Sequence, residues 1–258
     1  MLRAIVRPPA INFANGLTTA KLGAPVYEIA LKQHELYCQA LQHCGLALTR
    51  LEADLRYPDS TFVEDTAVLS DRGAIVSRSA APSRAGEVDE MKVVLARFFA
   101  EVRAITGSGT LDGGDICQSG VDGKHFFIGI SERTNEDGAR QLAGFLDQMG
   151  YTHAFVDIRH IIGLLHLKSG LASLGERSLV VIEQLIHHEA FRAFDLVPVA
   201  PAEAYAANCI EVNGHVLIAD GYPTFAQTLT HLGYDIVPLD MSEFQKMDGG
   251  LSCLSLRF

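Results

Sequence analysis

The C-terminal segment MDGGLSCLSLRF contains a thiol, Cys253, shortly after the glycine pair Gly249 and Gly250. A thiolate is a nucleophile, and glycines allow the backbone to approach a ligand closely. A lone cysteine is usually an inert core residue, so a chemical role requires partners from elsewhere in the chain. His166, within LLHLKSG, and Asp112, within LDGGD, offer an imidazole and a carboxylate as such partners.

These side chains recur at one phase of a repeat. Five segments have the pattern of a β-hairpin or of its first strand, and several contain Asp-Gly or Asn-Gly turn signals. One marker residue from each segment gives the series Glu64, Asp112, His166, Asn208 and Cys253, at separations of 48, 54, 42 and 45 residues. Periods near these values are typical of stacked or radial arrays. If the modules are related by rotation, their carboxylates, amide, imidazole and thiol lie at equivalent positions.

Amphipathic helical patterns alternate with the hairpin segments, because apolar residues recur at spacings of three and four. The patterns predict helices over residues 25–44, 84–99, 135–149, 188–194 and 222–232. Each pattern is followed by a short β-type run, so a unit of helix, strand and hairpin appears five times. We expect one closed radial α/β domain over residues 1–258, with the N-terminal strand RAIVR pairing with LSLRF at the C-terminus.

The composition excludes several classes of protein. The chain has 258 residues, of which 48% are hydrophobic, and a net charge of −10, which disfavours nucleic-acid binding and favours a cationic ligand. No run approaches the roughly 20 apolar residues of a membrane span, and the N-terminus lacks a secretory pattern. The cysteines are odd in number and form no CxxC pair, which argues against disulfides or structural zinc. We therefore expect a cytoplasmic protein without nucleic-acid or membrane partners.

Each candidate residue has a structural alternative. Cys38 and Cys44 lie on a helical pattern, and Cys117 and Cys209 lie on apolar strand patterns, so these four are interpreted as core residues. His166, which interrupts an apolar strand pattern, would be a buried imidazole with a satisfied hydrogen bond in that alternative. The aspartates of LDGGD would be turn residues. The coincidence of these residues at one repeat phase favours a chemical role.

Six motifs then resemble, in order, those of the dimethylarginine dimethylaminohydrolases of the guanidine-modifying pentein superfamily: YPDSTFVEDTAVL, TLDGGDI, RTNEDGARQL, LHLKSGL, YAANCI and DGGLSC. The similarity runs from AIVRPP to the last residue. It implies a five-bladed pseudosymmetric α/β propeller, which agrees with the repeat count. It also implies hydrolysis of monomethylarginine and asymmetric dimethylarginine to citrulline and methylamine or dimethylamine, through a covalent cysteine thiouronium intermediate and without a cofactor.

The resemblance also implies a role for each site residue. Cys253 is expected to be the nucleophile, His166 the general acid/base and Asp112 the acidic partner of His166. The residues expected to contact the substrate are Leu17 on a mobile lid, Asp59 at the amino-acid end, Glu64 and Asp65 at the guanidinium, Arg84 and Arg133 at the α-carboxylate, and the backbone of Met247 at the amino end. The expected partner is thus a small cationic guanidino compound.

Three alternatives remain open from the sequence. The nearest is another guanidine hydrolase of the superfamily, such as an arginine deiminase, or an amidinotransferase. The second is a non-catalytic binding module with the same architecture, which predicts loss of the cysteine, histidine and acid set. The third is a metal site built from His166, Cys253 and acids. A catalytic metal usually has three protein ligands in suitable geometry, and we expect none here. The oligomeric state is expected to be a monomer or a homodimer.

Overall fold

The computed structural model describes residues 2–258, and this part of the chain divides into two compact units. The first unit comprises Met1–Glu64 and Asn208–Phe258, and the second comprises Asp65–Ala207. The division does not test the single domain expected over residues 1–258, which stays a prediction. No helix among residues 2–258 combines the length and the apolar character that crossing a membrane requires.

Fifteen strands and five α-helices are assigned within the described residues. The strands are, in chain order, β1 (Arg3–Val6), β2 (Ala47–Arg50), β3 (Ala67–Ser70), β4 (Gly73–Val76), β5 (Val102–Ala104), β6 (Ile116–Ser119), β7 (His125–Ile130), β8 (Thr152–Asp157), β9 (Leu171–Ser173), β10 (Ser178–Ile182), β11 (Asp195–Val199), β12 (Ile210–Val212), β13 (His215–Ala219), β14 (Asp235–Leu239) and β15 (Leu256–Arg257). The helices are α1 (Tyr27–His43), α2 (Glu87–Leu95), α3 (Glu136–Gln148), α4 (Pro223–His231) and α5 (Ser242–Gln245).

The second unit contains the sheets β3-β4-β5, β6-β7-β8 and β9-β10-β11. In each sheet the first two strands form an antiparallel hairpin, and the third strand returns parallel to the second. Parallel neighbours require a crossover, which α2 and α3 supply in the first two sheets. In the third sheet the connection contains only short 3-10 helices, among them Glu189–Phe191, so the helix predicted over 188–194 is wrong. That pattern covers about two turns, too few for a stable α-helix without strong packing.

The first unit contains the sheets β12-β13-β14 and β15-β1-β2, and both follow the same plan. Helix α4 connects β13 to β14, and α1 connects β1 to β2. Strand β1 pairs antiparallel with β15, with Ala4 opposite Arg257 and Ile5 opposite Leu256. The predicted pairing of RAIVR with LSLRF is therefore confirmed. The predicted repeat count of five is confirmed as well, with two sheets in this unit and three in the other.

Local sequence explains several element boundaries. Helix α3 begins after Asn135, whose side chain accepts the N–H of Gly138 at 2.8 Å and satisfies an otherwise unpaired donor of the first turn. The hairpin between β12 and β13 turns at Asn213 and Gly214, both with positive φ, as the Asn-Gly signal predicts. In the second unit the apolar face of α3, including Leu142 and Leu146, packs on buried residues of the β3-β4 and β6-β7 hairpins.

The repeat markers lie shortly before the first strand of each sheet, in or beside a short 3-10 turn. The turns are Val63–Thr66, Gly113–Asp115, Leu167–Ser169, Pro201–Ala207 and Ser252–Leu254. His166 has an extended backbone and immediately precedes its turn, so the expectation that it interrupts an apolar strand is wrong. The strand begins only at Leu171, because the turn comes between the histidine and the sheet. A common turn before each sheet is what fixes the markers at one phase of the repeat.

Candidate active site

The second unit places His166 beside Asp112. Both side chains are buried, and the imidazole Nε2 is 3.3 Å from Asp112 Oδ2 and 4.0 Å from Asp65 Oδ1. The other carboxylate oxygen of Asp112, Oδ1, is buried and accepts no hydrogen bond from residues 2–258. Buried acceptors without a donor are rare and costly, which marks this oxygen as one that can receive a ligand N–H.

The charges around His166 set its protonation. Burial alone lowers the pKa of the imidazole, but the negative charge of Asp65 and the hydrogen bond to Asp112 outweigh burial, followed by the charge of Asp115, and raise the pKa from 6.5 to about 9. Burial also acts to raise the pKa of Asp65, but the positive charges of His166 and Arg84 exceed that effect and lower it. At neutral pH the second unit therefore holds a buried imidazolium next to carboxylates.

Arg84 forms a buried ion-pair network in the same unit. Its Nη1 donates to Asp65 Oδ2 at 2.6 Å, and its Nε and Nη2 donate to the two oxygens of Glu87 at 2.9 and 2.8 Å. This is the planar two-bond geometry that an arginine forms with a carboxylate. Burial lowers the pKa of Arg84, but Glu87 and Asp65 together hold it well above its usual value. The structure thus brings Arg84 to Asp65, while its expected contact with a substrate carboxylate stays a prediction.

Arg133 lies in the turn that follows β7 in this unit, and its side chain is half-buried. Its backbone N–H donates to Ser131 Oγ at 2.9 Å, and that hydroxyl in turn donates to the buried carboxylate of Asp115 at 2.6 Å. The turn is therefore fixed from beneath by polar contacts. The expected role of the Arg133 guanidinium at the α-carboxylate stays a prediction.

The first unit holds Cys253 in the turn Ser252–Leu254, where the residue is half-buried and its Sγ accepts the N–H of Gly250 at 3.4 Å. A backbone donor stabilises negative charge on the sulfur. The glycine pair before it has a steric cause. A Cβ on Gly249 would lie 2.3 Å from the Phe62 ring, and one on Gly250 would lie 2.5 Å from Asn208 Cγ. Neighbouring side chains of the protein therefore require this glycine pair, and the close approach of its backbone to a ligand stays a prediction.

Glu64 is linked to the residue before the thiol through buried hydrogen bonds. Ser252 Oγ donates to Glu64 Oε2 at 2.7 Å, and Asn208 Nδ2 donates to Ser252 Oγ at 3.1 Å. Asn208 Oδ1 also accepts the backbone N–H of Ser252 at 2.8 Å. The chain Asn208–Ser252–Glu64 therefore fixes both a carboxylate and the start of the turn that carries Cys253.

The segment around Leu17 is held by two aspartates of the first unit. The backbone N–H of Leu17 donates to the two oxygens of Asp59 at 3.0 and 3.2 Å, while its side chain is exposed. Thr19 donates to Asp248 Oδ2 through its N–H at 2.5 Å and through its hydroxyl at 3.0 Å. Met247, the neighbour of Asp248, is buried. The expected mobility of this lid stays a prediction.

Three side chains of the second unit have the spacing of a metal site. Asp65, Asp112 and His166 each offer one ligand atom, and these atoms lie within 4.8 Å of one another. A guanidinium already pairs with Asp65, and a proton on the imidazole competes with a metal for the same nitrogen. The trio is thus better suited to binding a proton and N–H donors, and the absence of a metal stays a prediction.

The remaining cysteines are confirmed as core residues. Cys38, Cys44, Cys117 and Cys209 are all buried, and none of the cysteines within residues 2–258 forms a disulfide. Burial raises the pKa of Cys38 to about 11, which keeps its thiol protonated and inert near neutral pH.

Sequence reasoning missed several residues that support these side chains. Glu87 is spaced three residues from Arg84, and this i, i+3 charge spacing was an available signal. Asp115 was interpreted only as a possible turn residue, although its motif has two acids separated by two glycines. Ser252 and Asp248 gave no signal, because a serine or an aspartate near a glycine pair is ordinary turn composition.

Comparison with known proteins places these observations in a family. A family model described as "N,N dimethylarginine dimethylhydrolase, eukaryotic" matches residues 13–253. A curated N(G),N(G)-dimethylarginine dimethylaminohydrolase of Pseudomonas aeruginosa is 41% identical over 255 residues, which cover 98% of each chain.

Two solved structures extend the comparison. The Pseudomonas aeruginosa enzyme in a cysteine-to-serine mutant complexed with citrulline has a TM-score of 0.95 at 40% identity, covering 99% of this chain and 98% of the other. A dimethylarginine dimethylaminohydrolase adduct with S-methyl-L-thiocitrulline, in a histidine-to-glycine variant, has a TM-score of 0.94 at 40% identity and covers 100% of both chains. These matches and the five sheets confirm the fold class that the resemblance implies and with which the repeat count agrees, a five-bladed pseudosymmetric α/β propeller.

Proposed function

The chain belongs to the dimethylarginine dimethylaminohydrolase family, and we propose that it hydrolyses N-omega-methylated arginines to citrulline and a methylated amine. The observation that carries the proposal is the buried pair of His166 and Asp112. It joins an imidazolium, held protonated by carboxylates, to a buried carboxylate oxygen that accepts no hydrogen bond from the described residues. A guanidinium supplies N–H donors in a plane, and an amine leaving group requires the proton that the imidazolium carries.

The proposed first step is attack by the Cys253 thiolate on the central guanidino carbon. A sulfur–carbon bond forms, and the resulting tetrahedral adduct contains the dimethylamino nitrogen as a poor leaving group. His166 donates a ring proton to that nitrogen as its bond to carbon breaks, so neutral dimethylamine departs and a cationic thiouronium remains on the sulfur. The covalent route replaces one difficult displacement by two easier steps.

The proposed second step is hydrolysis of the thiouronium. Neutral His166 takes a proton from water as the oxygen attacks the same carbon, and the carbon–sulfur bond then breaks to regenerate the thiolate. The product loses one proton and becomes citrulline. Proton transfer by a positioned side chain is typically worth about 10²- to 10⁴-fold in rate. Asp112 stabilises the imidazolium in both steps.

We propose that the other predicted residues bind the substrate. Glu64 and Asp65 pair with the guanidinium, because carboxylates match its N–H donors. Arg84 and Arg133 bind the α-carboxylate. Asp59, the segment at Leu17 and the backbone of Met247 serve the amino-acid end. Since Arg84 also binds Asp65 through a 2.6 Å hydrogen bond, it can hold that carboxylate in place as well.

We propose that the chain acts in the cytoplasm on a small cationic guanidino compound. The mechanism needs Cys253 as a thiol, and that compartment keeps thiols reduced. Nucleic acid and membranes are not partners in this proposal. Whether the chain acts as a monomer or a homodimer stays a prediction.

The test is citrulline release from asymmetric dimethylarginine, monomethylarginine and arginine. Methylated substrates are expected to react, and reaction of arginine alone would contradict the proposal in favour of an arginine deiminase. Cys253→Ser is expected to lower kcat by at least about 10³-fold, as loss of a nucleophile does, while Cys44→Ser, which alters a buried thiol, leaves kcat unchanged. In a His166→Gln variant incubated with S-methyl-L-thiocitrulline, whose thiolate can leave without a proton from His166, mass spectrometry is expected to find the adduct on tryptic peptide 247–257, in which Cys253 is the one cysteine.

A further inference from the structure

Asp115 is a fully buried acid whose two oxygens bind two different segments of the second unit. Oδ1 accepts the backbone N–H of Leu167 at 3.0 Å, and Oδ2 accepts the hydroxyl proton of Ser131 at 2.6 Å. Leu167 directly follows His166. Ser131 begins the turn that contains Arg133. The Asp115 carboxylate thus connects the backbone next to His166, the proposed acid/base, to the turn that contains Arg133, a proposed substrate-binding residue.

The hydrogen bonds at Ser131 fix the direction of the contact with Asp115. Ser131 Oγ accepts the backbone N–H groups of Arg133 at 2.9 Å and of Thr134 at 3.1 Å. A hydroxyl oxygen has two lone pairs and one proton, so both lone pairs are used and the proton must be donated. The proton goes to Asp115 Oδ2, which must therefore be an acceptor. Both oxygens of Asp115 are therefore acceptors at these two contacts.

The same turn also contacts the backbone of Asp112, the proposed acidic partner of His166. Thr134, which is fully buried, accepts the backbone N–H of Asp112 at its Oγ1, over 3.2 Å. The Ser131–Thr134 turn is therefore bonded to the backbone of Asp112 on one side and to the side chain of Asp115 on the other. A displacement of Asp115 would therefore move the Ser131–Thr134 turn, and with it the backbone of Asp112, relative to His166.

We propose that Asp115 is a positioning residue, whose carboxylate fastens the backbone next to His166 to the turn that carries Arg133. The inference rests on the proposed function, since it assigns roles in that reaction to His166 and Arg133. Small displacements of catalytic groups cost up to about 10²-fold in rate, so a rigid connection between these two segments has a measurable value.

The carboxylate has a second effect through its charge. The ionisable groups that act on His166 are Asp65 from the turn before β3, and Asp112 and Asp115 from the turn before β6. All three stabilise the imidazolium. Burial raises the pKa of Asp115, against the positive charge of His166 and the hydrogen bonds from Ser131 and Thr134. Removing the Asp115 charge is therefore expected to lower the pKa of His166 from about 9.

The test compares Asp115→Asn with wild type and with a matched control. Asparagine keeps the size of the side chain and removes the negative charge, and its single carbonyl oxygen can accept from Ser131 or from Leu167 but not from both. We expect kcat/KM for asymmetric dimethylarginine to fall about 10- to 100-fold and the His166 titration, followed by NMR, to move to lower pH. The control is Asp54→Asn, a buried carboxylate of the first unit that also accepts a backbone N–H, from Arg56 at 3.0 Å. It should change neither quantity.

Ser131→Ala separates the connection from the charge. This variant retains the Asp115 charge, so the His166 titration should stay near that of wild type, while KM rises about tenfold because the Arg133 turn loses its hydroxyl contacts. If Asp115→Asn does not fold, Ser131→Ala decides, and an unchanged KM overturns the inference.

The two measurements also separate this inference from the proposed function. NMR titration requires no turnover, so an unshifted His166 in Asp115→Asn overturns the inference even in an active enzyme. Equal losses of kcat/KM in Asp115→Asn and Asp54→Asn would overturn it as well. A wild-type chain that releases no citrulline, together with a shifted His166 in Asp115→Asn, would contradict the proposed function and support the coupling of Asp115 to His166.

Discussion

Two histidines are buried among the described residues, one in each unit, and their pKa values are shifted in opposite directions. His34 lies on α1 in the first unit, where burial and then the positive charge of Arg50 lower its pKa to about 4. His166 lies in the second unit and is also buried, but the carboxylates around it raise its pKa to about 9. At neutral pH the imidazole of His34 is therefore uncharged and that of His166 is protonated.

The difference shows that burial by itself does not define a functional histidine. Desolvation is the largest single influence on both residues, and it acts in the same direction on both. His166 differs because neighbouring turns place several carboxylates close to its imidazole. His34 contacts Cys38 Sγ at 3.7 Å through its Nδ1. A buried histidine and cysteine pair thus exists in the first unit, but the negative charge of Glu35 does not offset burial and the positive charge of Arg50 at His34.

The largest expected effect comes from making the same substitution at the two histidines. His166→Gln is expected to lower kcat for asymmetric dimethylarginine by about 10²- to 10⁴-fold, because it removes the proton donor for the leaving amine. His34→Gln is expected to leave kcat unchanged and to alter only thermal stability. Steady-state citrulline assays measure both variants. A comparable loss of kcat in His34→Gln would remove the functional distinction between the two residues.

The pH dependence of stability should separate the two histidines next. The folded pKa of His166 is raised, so its contribution to stability is full below pH 6.5 and is lost as pH rises to about 9. The difference corresponds to about 3 kcal/mol. Urea unfolding between pH 6.5 and 9 should show wild type losing this stability and His166→Gln losing much less. A parallel loss in both proteins would contradict the raised pKa of His166.

His34 predicts a loss of similar size on the acid side. Its folded pKa is lowered, so below pH 6.5 the unfolded chain binds a proton that the folded chain excludes. Stability therefore falls from pH 6.5 to about 4, by about 3 kcal/mol, and His34→Gln should lack that component. The difference between the unfolding curves of wild type and His34→Gln measures it. A difference that is constant over this window would show that His34 is protonated in the folded protein.

A smaller effect is expected in the first unit, where hydrogen bonds position Glu64 and the turn that carries Cys253. In the second unit, charged groups surround His166. Ser252→Ala removes the hydroxyl between Asn208 and Glu64, and kcat/KM is expected to fall about tenfold, the value of one hydrogen bond to a charged group. Ser255→Ala is the control, because it also removes a buried hydroxyl, bonded to Tyr37 at 2.7 Å. It should lower thermal stability without changing kcat/KM. Equal kinetic losses in both variants would argue for a general packing effect.

The sequence predicted those features of the fold that depend on local signals. The turn at Asn213 and Gly214 follows from the positive φ that those residues accept, and the closing of β15 on β1 follows from the repeat count. Helix α2 was predicted from residue 84, whereas it starts at Glu87. Arg84 lies in the preceding 3-10 turn, from which its guanidinium binds Asp65 and Glu87. The spacing of Arg84 and Glu87 could signal their pairing, but the contact of Arg84 with Asp65, 19 residues away, depends on the fold and not on local spacing.

The candidate site was predictable in its residue types and not in its electrostatics. His166 and Asp112 were identified from motifs, but the raised pKa of His166 depends on acids contributed by two separate turns. Their distances cannot be obtained from sequence spacing. Asp115 and Ser252 were missed because their function is to hold other residues. A supporting side chain has no characteristic composition, since its role depends on which backbone N–H groups the fold brings within reach.

The smallest expected effect concerns Asp248, which holds Thr18 and Thr19 in the first unit. Asp248 has a φ of 57°, a left-handed conformation that Asn also tolerates, so Asp248→Asn removes the charge without adding backbone strain. Weaker hydrogen bonds should raise KM about two- to fivefold and speed tryptic cleavage after Lys21, which lies in the exposed segment that follows.

The second unit offers a matched control for this change. Asp122 has a φ of 55° and is exposed, and its carboxylate is 3.4 Å from Lys124 Nζ. Asp122→Asn therefore removes the same charge from the same backbone conformation, but no threonine segment depends on it. KM and the rate of cleavage after Lys21 should stay at wild-type values. If Asp248→Asn behaves like Asp122→Asn, the contacts of Asp248 with Thr18 and Thr19 do not hold the segment.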